Sequence, residues 1–230
     1  MKLPNIAVDG PAASGKTTVA RLLARRLGLV FLDTGAMYRA VALLALERQA
    51  DCRDEAALTA LAEECVIRVR PDEGEQGFAL ELNGRDVTDM LHEPRIDRIV
   101  SAVAKVSGVR RSLVRRQQEM AAQGGIIMVG RDITTVVMPQ AEFKYYLDAD
   151  VAERAKRRYL ELREQGKNIS EAEVLRQLEE RDYIDTHRSD SPLYLAEGVR
   201  RFDSTGKSID EVVEGLSRDC MEYMEKVRLA

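Results

Sequence analysis

The sequence predicts an α/β fold, a doubly wound parallel sheet with helices on both faces. Short apolar runs alternate with stretches of helical periodicity over most of the chain. Each connection between these runs is long enough for a crossover helix, which parallel pairing requires. Several of the runs end in polar residues, so ligands should collect at the carboxyl edge of the sheet.

The first elements are a strand, a Gly-rich loop and a helix. Residues 5–9 form an apolar run that ends at Gly10, and residues 17–27 place apolar side chains on one helical face. Gly28 suits the position just past the end of that helix. Residues 29–32 then return as a second buried strand.

The middle of the chain changes character after a helical stretch from 36 to about 49. Residues 65–70 and 78–82 alternate between apolar and polar side chains, as half-buried strands do. The pair Asn83-Gly84 follows the second segment and predicts a type I′ hairpin turn into residues 85–87. A small antiparallel insertion therefore interrupts the α/β pattern.

Helical spacing begins at Pro94, and we expect Gly108 to break it before a basic amphipathic helix from 109 to 122. The α/β pattern then resumes. Residues 126–129 are an apolar run followed by Gly-Arg-Asp, and residues 143–147 are a run followed by Asp-Ala-Asp.

The last third of the chain begins with a very basic helix from 151 to 165. Ser170 with Glu173 forms a capping-box pattern that opens the next helix, which runs to about 185. A final short strand spans 199–202, and Ser208 with Glu211 is a second capping-box pattern before the C-terminal helix.

The composition suits a soluble globular protein of one large domain. The chain has 230 residues, 45% hydrophobic and 32% charged, with a mean hydropathy of −0.30. It has no apolar run of roughly 18 residues and no signal-peptide pattern, so we expect a cytoplasmic protein without a membrane partner. The cysteines, Cys52, Cys65 and Cys220, form no metal or disulfide pattern. A net charge of −4 disfavours a sequence-blind nucleic-acid binder.

One motif carries chemistry. Residues 10–17 match G-x-x-x-x-G-K-[ST], in which backbone N–H groups cradle phosphates, the Lys reaches the β and γ oxygens, and the hydroxyl holds Mg²⁺. The helix that follows adds its positive dipole end. The residues expected to bind ATP are Gly10, Pro11, Ala12, Ala13, Ser14, Gly15, Lys16, Thr17 and Thr18, with Thr17 also the metal ligand.

The rest of the chain favours a small-molecule phosphotransferase over other users of this loop. It has no guanine-reading N-K-x-D segment, and the apolar run 126–129 ends in Gly-Arg-Asp and not in an acidic pair. Arginines suited to bidentate phosphate binding lie instead at strand ends and on basic helices. They are Arg39, Arg110, Arg131, Arg154, Arg157, Arg158, Arg181 and Arg188.

These residues resemble the bacterial cytidylate kinase family of the nucleoside monophosphate kinase group. The matching segments follow the family's order from residue 9 to residue 205. They are Asp9 to Thr17, Asp33-Thr34-Gly35-Ala36-Met37-Tyr38-Arg39, Ser101, Val109-Arg110, Arg115-Arg116-Gln117, Gly130-Arg131-Asp132, Arg181-Asp182, Asp185, Arg188, Pro192-Leu193 and Asp203-Ser204-Thr205.

The resemblance implies transfer of the ATP γ-phosphoryl group to CMP or dCMP. It also implies one kinase domain with a core (about 1–63, 123–150 and 171–230), a monophosphate-binding insertion (about 64–122) and a mobile lid (about 151–170). ATP would be the co-substrate, Mg²⁺ the cofactor and CMP or dCMP the small-molecule partner. We expect a monomer.

The resemblance also assigns residue roles. Asp132 would accept from the cytosine amino group, with Arg110 and Ser101 on the remaining base edge. Arg181 and Asp185 would hold the ribose, while Arg131 and Arg188 would hold the acceptor phosphate. Thr34, Tyr38 and Arg39 would line the acceptor site. The catalytic cations would be Lys16, Arg131, Arg154, Arg157, Arg158 and Arg188.

The sequence departs from the family's pattern near two of these sites. Thr134 stands where the family usually has Gly, and it would be strained if its φ were positive. Met138-Pro139-Gln140 replaces the usual Phe-Pro-Asp. Ala13 replaces a frequent Gly in the phosphate loop and is tolerable only if its φ is negative.

Three other hypotheses remain open on the sequence. The acceptor could be another monophosphate, such as UMP. The chain could bind nucleotide without transferring a phosphoryl group. The arginines at 110, 111, 115 and 116 could bind nucleic acid, although no aromatic residues are interleaved with them, and a solvated helix face is the simpler interpretation.

Overall fold

The computed structural model of the chain describes residues 3–72, 74 and 76–229. The strands are β1 (Ile6–Asp9), β2 (Val30–Asp33), β3 (Ile67–Pro71), β4 (Phe78–Leu82), β5 (Arg85–Asp86), β6 (Ile126–Gly130), β7 (Phe143–Asp148) and β8 (Arg200–Asp203). The helices are α1 (Lys16–Leu27), α2 (Gly35–Glu47), α3 (Glu55–Glu64), α4 (Pro94–Lys105), α5 (Ser107–Ala122), α6 (Val151–Glu164), α7 (Glu171–His187) and α8 (Ile209–Leu229).

The central sheet is parallel and confirms the predicted fold class. Its five strands lie in the order β2-β6-β1-β7-β8. The residue that ends β1, Asp9, pairs with Gly130 of β6 on one side and with Tyr146 of β7 on the other. The carboxyl ends of the strands therefore meet at one edge, which is where such sheets bind ligands.

The apolar runs are strands because both faces of the sheet are covered. Ile6, Ala7 and Val8 are at most 1% exposed, and Ile127, Met128 and Val129 are fully buried. Strands buried on both faces need continuous apolar runs and not alternation. One hydrophobic core extends from this sheet into α4 and α5, through residues such as Val103 and Leu113.

The middle segment forms the expected antiparallel sheet, in the order β3-β4-β5. The β4–β5 turn has positive φ at both central residues, 52° at Asn83 and 81° at Gly84. Two positive φ angles define the predicted type I′ turn, because only this sense of turn matches the twist of the strands. The hairpin prediction is confirmed.

The predicted helix break at Gly108 is wrong. The interruption lies at Val106, and Gly108 belongs to the first turn of α5. A Cβ on Gly108 would lie 2.1 Å from Oγ1 of Thr59 on α3. Glycine is present here because α3 and α5 approach closely, and not because the chain turns.

Helix α3 was not predicted, although its first turn carries a capping signal. The Asp54 side chain accepts a hydrogen bond from the Ala57 N–H at 2.9 Å. An aspartate in this place satisfies one of the free N–H groups at a helix start. The helix then packs against α2 and α5.

The two capping-box patterns differ in the structure. Ser208 and Glu211 form the reciprocal pair, with Ser208 N donating to the carboxylate at 2.8 Å and Glu211 N donating to the hydroxyl at 3.3 Å. Ser170 likewise accepts from Glu173 N, but the Glu173 carboxylate binds Arg176 on its own helix. Both patterns mark true helix starts, as predicted.

Within the described residues, every helix is too short or too polar to cross a membrane.

Candidate active site

The phosphate loop connects β1 to α1 at the centre of the sheet edge. A Cβ on Gly10 would lie 2.1 Å from the Leu147 carbonyl oxygen, so only glycine fits there. Gly15 caps α1 with a φ of 86°, a left-handed conformation that glycine adopts without strain. These two glycines let the backbone turn tightly from β1 to the start of α1, where a helix has free N–H groups that favour an anion.

Lys16 is buried and forms no ion pair with an acidic side chain in the part of the chain that the structure describes. Its side chain donates to the Pro11 carbonyl oxygen at 2.8 Å, and the residue is 7% exposed. Burial and the neighbouring Arg131 hold the pKa of Lys16 well below its ordinary value. An anion placed in the loop would remove this penalty, so the site is built to bind one.

Ala13 does not meet the condition of a negative φ under which alanine was expected to be tolerable in the loop. Its φ is 58°, in the left-handed region that costs an L-residue about 1–2 kcal/mol. The side chain packs against a small apolar cluster formed by α6 and α7. The phosphate loop of this chain therefore stores backbone strain that glycine would not have.

Ala13→Gly is expected to raise the free energy of unfolding by about 0.5–1 kcal/mol, because relief of the left-handed strain exceeds the extra entropy of a glycine in the unfolded chain. Urea unfolding measures the effect. A variant less stable than the parent would show that the Ala13 methyl contributes more through packing than its backbone costs.

Asp33 is a candidate functional residue that the sequence analysis did not select. It ends β2, and its carboxylate accepts a hydrogen bond from Thr17 Oγ1 at 2.8 Å. The position of Asp33 at the end of a predicted strand was the sequence signal that could have identified it. The described residues hold no cluster of three or more His, Cys, Asp or Glu, so a metal here would need phosphate or water oxygens as well.

Arg131 and Asp185 join β6 to α7. Arg131 Nε donates to Asp185 Oδ2 at 2.7 Å, and the two side chains are 15% and 14% exposed. Burial opposes the charge on both groups. The ion pair outweighs it, so the pKa of Arg131 is raised and the pKa of Asp185 is lowered.

Asp132 and Arg110 form the most buried ion pair among the described residues. Their side chains are 6% and 3% exposed, and Arg110 Nη2 donates directly to the Asp132 carboxylate. The Arg110 guanidinium also lies 5.6 Å from the centre of the Tyr38 ring. Arg188 approaches the other Asp132 oxygen at 4.0 Å. The structure thus brings together four residues of the predicted acceptor site.

Two atoms in this group lack partners. The Tyr38 hydroxyl and Arg110 Nε are buried and make no hydrogen bond within the described part of the chain. Burial raises the pKa of Tyr38 to about 12, so the hydroxyl remains a donor at neutral pH. Unsatisfied buried donors are costly and mark places where a ligand can supply acceptors.

The turn that carries Arg131 and Asp132 is anchored by Asp9. The fully buried Asp9 carboxylate accepts hydrogen bonds from Ile133 N, Thr134 N and Thr134 Oγ1 at 2.6–2.9 Å. Thr134 is absent from the residues with positive φ, so the strain considered for this departure does not arise. Its hydroxyl adds an anchor that glycine lacks.

Arg181 makes no hydrogen bond or ion pair among residues 3–72, 74 and 76–229. Arg181 is exposed on α7, but the protein packed around its guanidinium, together with repulsion from Arg131, lowers the pKa of Arg181 to about 10. With Lys16, it is a second cation whose surroundings favour a bound anion.

Other predicted acceptor residues are engaged elsewhere or exposed. Arg39 Nη1 donates to the Leu91 carbonyl at 2.9 Å and to Asp97 at 2.7 Å. Thr34 is buried and donates its hydroxyl to the Val129 carbonyl at 2.9 Å. Ser101 is exposed on α4.

The three arginines of α6 that were predicted to be catalytic lie in different surroundings. Arg154 is buried, with its guanidinium bound to Asp182 and to backbone carbonyls. Arg157 donates to Glu153 and to Ser204 of the loop after β8. Arg158 is 37% exposed and pairs with Glu161 within its own helix.

The basic residues of α5 do not form the common face that nucleic-acid binding would need. Arg110 is buried at the Asp132 pair, and Arg116 donates to the carbonyls of Ala62 and Glu63. Arg111 and Arg115 are the exposed members. Two exposed arginines on one helix are an ordinary solvated surface.

A parallel sheet with a glycine-rich loop around a buried lysine, beside a separate arginine cluster, defines a P-loop phosphotransferase. The family model described as cytidylate kinase matches residues 6–222. The cytidylate kinase of Bacillus licheniformis is 46% identical over 211 residues, covering 91% of this chain and 92% of that protein. That of Streptococcus pneumoniae is 44% identical over 225 residues, covering 97% of this chain and 100% of the relative.

The chain therefore belongs to the cytidylate kinase family and is a nucleoside monophosphate kinase. The fold is shared more widely. An uncharacterized protein from Eubacterium ventriosum, 11% identical, matches with a TM-score of 0.51 over 94% of this chain and 98% of its own.

Proposed function

We propose that this protein transfers the γ-phosphoryl group of ATP to CMP or dCMP, giving ADP and CDP or dCDP. Its family supports the reaction, and the observation that carries the choice of base is the buried Asp132–Arg110 pair. This pair lies at the end of β6, the strand next to the one that begins the phosphate loop. Two substrates held on neighbouring strand ends can meet for in-line transfer.

The donor site would be the phosphate loop. Lys16 and the backbone N–H groups of residues 13–18 would hold the β- and γ-phosphates. The Thr17 hydroxyl and the Asp33 carboxylate, 2.8 Å apart at the mouth of the loop, are hard oxygen ligands that fit Mg²⁺. When bound, Mg²⁺ would neutralise charge on the phosphate oxygens.

The acceptor phosphate would be held by Arg131 and Arg188, with the ribose at Arg181 and Asp185. An oxygen of the CMP phosphate attacks the γ-phosphorus as the bond to the β–γ bridging oxygen breaks. This oxygen is already ionised, so the site needs no strong general base. It needs cations around the transferring group, which Lys16, Arg131 and the exposed Arg158 would supply.

The base would be selected by Asp132. A carboxylate accepts a hydrogen bond from the cytosine N4 amino group and repels the uracil O4. Arg110 holds this carboxylate in place, and Ser101 would approach from α4. Arg39 would leave its contact with Asp97 to reach the acceptor site.

The domain division predicted from the sequence belongs to the same proposal. Residues 151–170 and the following α7 share with Ala12 of the phosphate loop a small apolar cluster, separate from the main core, that contains Ala155, Leu162, Val174 and Leu178. A separate cluster supports a lid, whereas the insertion at about 64–122 shares the core of the sheet.

A panel of CMP, dCMP, UMP and AMP with ATP, with ADP release as the readout, tests the proposal. Turnover that depends on CMP and dCMP supports it. A higher kcat/KM for UMP would assign the enzyme to another monophosphate. ATP turnover that ignores every acceptor would indicate a nucleotide-binding protein without transfer.

Asp132→Asn is expected to reduce the ratio of kcat/KM for CMP over UMP by a factor of about 10 to 100, because an amide can both accept from cytosine and donate to uracil. Asp210→Asn, on the exposed start of α8, is the matched control. An unchanged ratio would remove Asp132 from base recognition.

A further inference from the structure

Side chains from α6 and α7 form hydrogen bonds with the backbone of the phosphate loop at Ala12. The Ala12 N–H donates to Asp182 Oδ1 at 3.2 Å, and the Ala12 carbonyl accepts from Arg154 Nη1 at 3.0 Å. Arg154 Nη1 and Asp182 Oδ2 are themselves 2.6 Å apart. Both polar groups of one loop residue are therefore satisfied by a single ion pair.

Arg154 is fixed in this position. Its side chain is 7% exposed, and its Nε donates to the Ala149 carbonyl at 2.9 Å. Movement toward a substrate would leave Asp182 and the Ala12 carbonyl without their donor, which is costly for buried groups. The geometry sets Arg154 apart from Arg158, whose partner lies on the protein surface.

Apolar packing also holds the phosphate loop at Ala12. Ala12 is 4% exposed and belongs to the cluster of Ala155, Leu162, Val174 and Leu178, against which Ala13 also packs. The loop is thus bound to the α6–α7 pair through both its backbone and its methyl groups.

The hydrogen bonds of Arg154 and Asp182 to Ala12 lie next to the strained residue, Ala13. Ala13 has a φ of 58°, which a residue with a Cβ resists and which glycine adopts freely. A loop with alanine here needs external contacts to stay in the anion-binding shape. The polar contacts at Ala12 supply two of them, and on the other side of Ala13 the Ser204 hydroxyl donates to the Ser14 carbonyl at a longer distance of 3.4 Å.

We infer that Arg154 and Asp182 are positioning residues that hold the phosphate loop in its ATP-binding shape against the left-handed strain at Ala13. This inference rests on the proposed function, because it takes ATP as the ligand of the loop. Arg154 acts on the donor site through the backbone of Ala12 and does not contact the transferring group.

The test is ATP affinity of the full-length protein with Mg²⁺, without acceptor, by titration calorimetry. Arg154→Lys keeps the positive charge, and Asp182→Asn keeps the size of the side chain. Each is expected to weaken ATP binding about tenfold, since each removes a charge-assisted contact to the loop. The KM for CMP should change by less than about threefold, because the acceptor contacts remain. Arg176→Lys, a surface ion pair on α7, is the matched control.

The strain part of the inference is tested in an Ala13→Gly background. In the Ala13→Gly protein, Arg154→Lys should weaken ATP binding only about threefold, because glycine keeps the shape of the loop without the Arg154 contact. Calorimetric stoichiometry reports the folded fraction of each variant, so a loss of fold is separated from a loss of affinity. Equal losses in both backgrounds would overturn the strain argument.

A lower kcat with unchanged ATP affinity in Arg154→Lys would make Arg154 a catalytic cation and overturn the inference. The measurement of ATP affinity needs no acceptor. If the parent bound ATP but phosphorylated no monophosphate, the proposed function would fail while the affinity measurements still decided the role of Arg154.

Discussion

Replacing Lys16 with methionine is expected to lower kcat for CMP phosphorylation by about 10³-fold, because it removes a buried cation from the oxygens on which charge develops. Methionine has nearly the length of lysine and suits a site that is 7% exposed. A coupled assay that monitors the release of ADP measures the effect.

The same variant should be at least as stable as the parent without ligand. Burial lowers the pKa of Lys16 in the free protein, so its charge opposes folding. A loss of activity without a loss of stability separates a binding role from a structural one. Lys105→Met, at the exposed end of α4, is the control. Retention of more than a tenth of the parent kcat would contradict the proposed role.

Arg110→Met is expected to lower the free energy of unfolding by about 3 kcal/mol, because it leaves the buried Asp132 carboxylate without its closest partner. Arg188, at 4.0 Å, compensates in part. Urea unfolding gives the free energy, and the KM for CMP should rise in the same variant.

The double variant Arg110→Met with Asp132→Leu is the sharper test. Removal of both charges should recover at least half of the lost stability, since a buried ion pair contributes little over apolar side chains of similar size. Recognition of CMP should not return. If the single variant lost less than about 1 kcal/mol, the pair would be solvated and the base site would lie elsewhere.

The strands were predictable because burial on both faces of a sheet requires apolar runs, and the runs ending at Asp9 and at Gly130 meet this condition. The phosphate loop was predictable for a related reason. Its conformation depends on local glycines, so the sequence pattern carries the geometry. The Asn83-Gly84 turn belongs to the same class.

Contacts between distant segments could not be predicted in this way. Gly108 looked like a helix break, yet it marks the approach of Thr59 from another helix. Arg154 looked like one of three equivalent lid arginines, yet it is buried against Asp182. Ala13 showed its strain only once the φ angle was known.

The sequence alone determined the order of the strands and of every helix except α3, the phosphate loop and the family resemblance, because each depends on neighbouring residues or on a fixed spacing. The tertiary structure decided which charges meet. It paired Arg110 with Asp132 and Arg131 with Asp185, and it left Arg181 without a partner in the described chain. Coulomb energy and desolvation depend on distance and burial in space, and neither quantity is written in the spacing of residues along the chain.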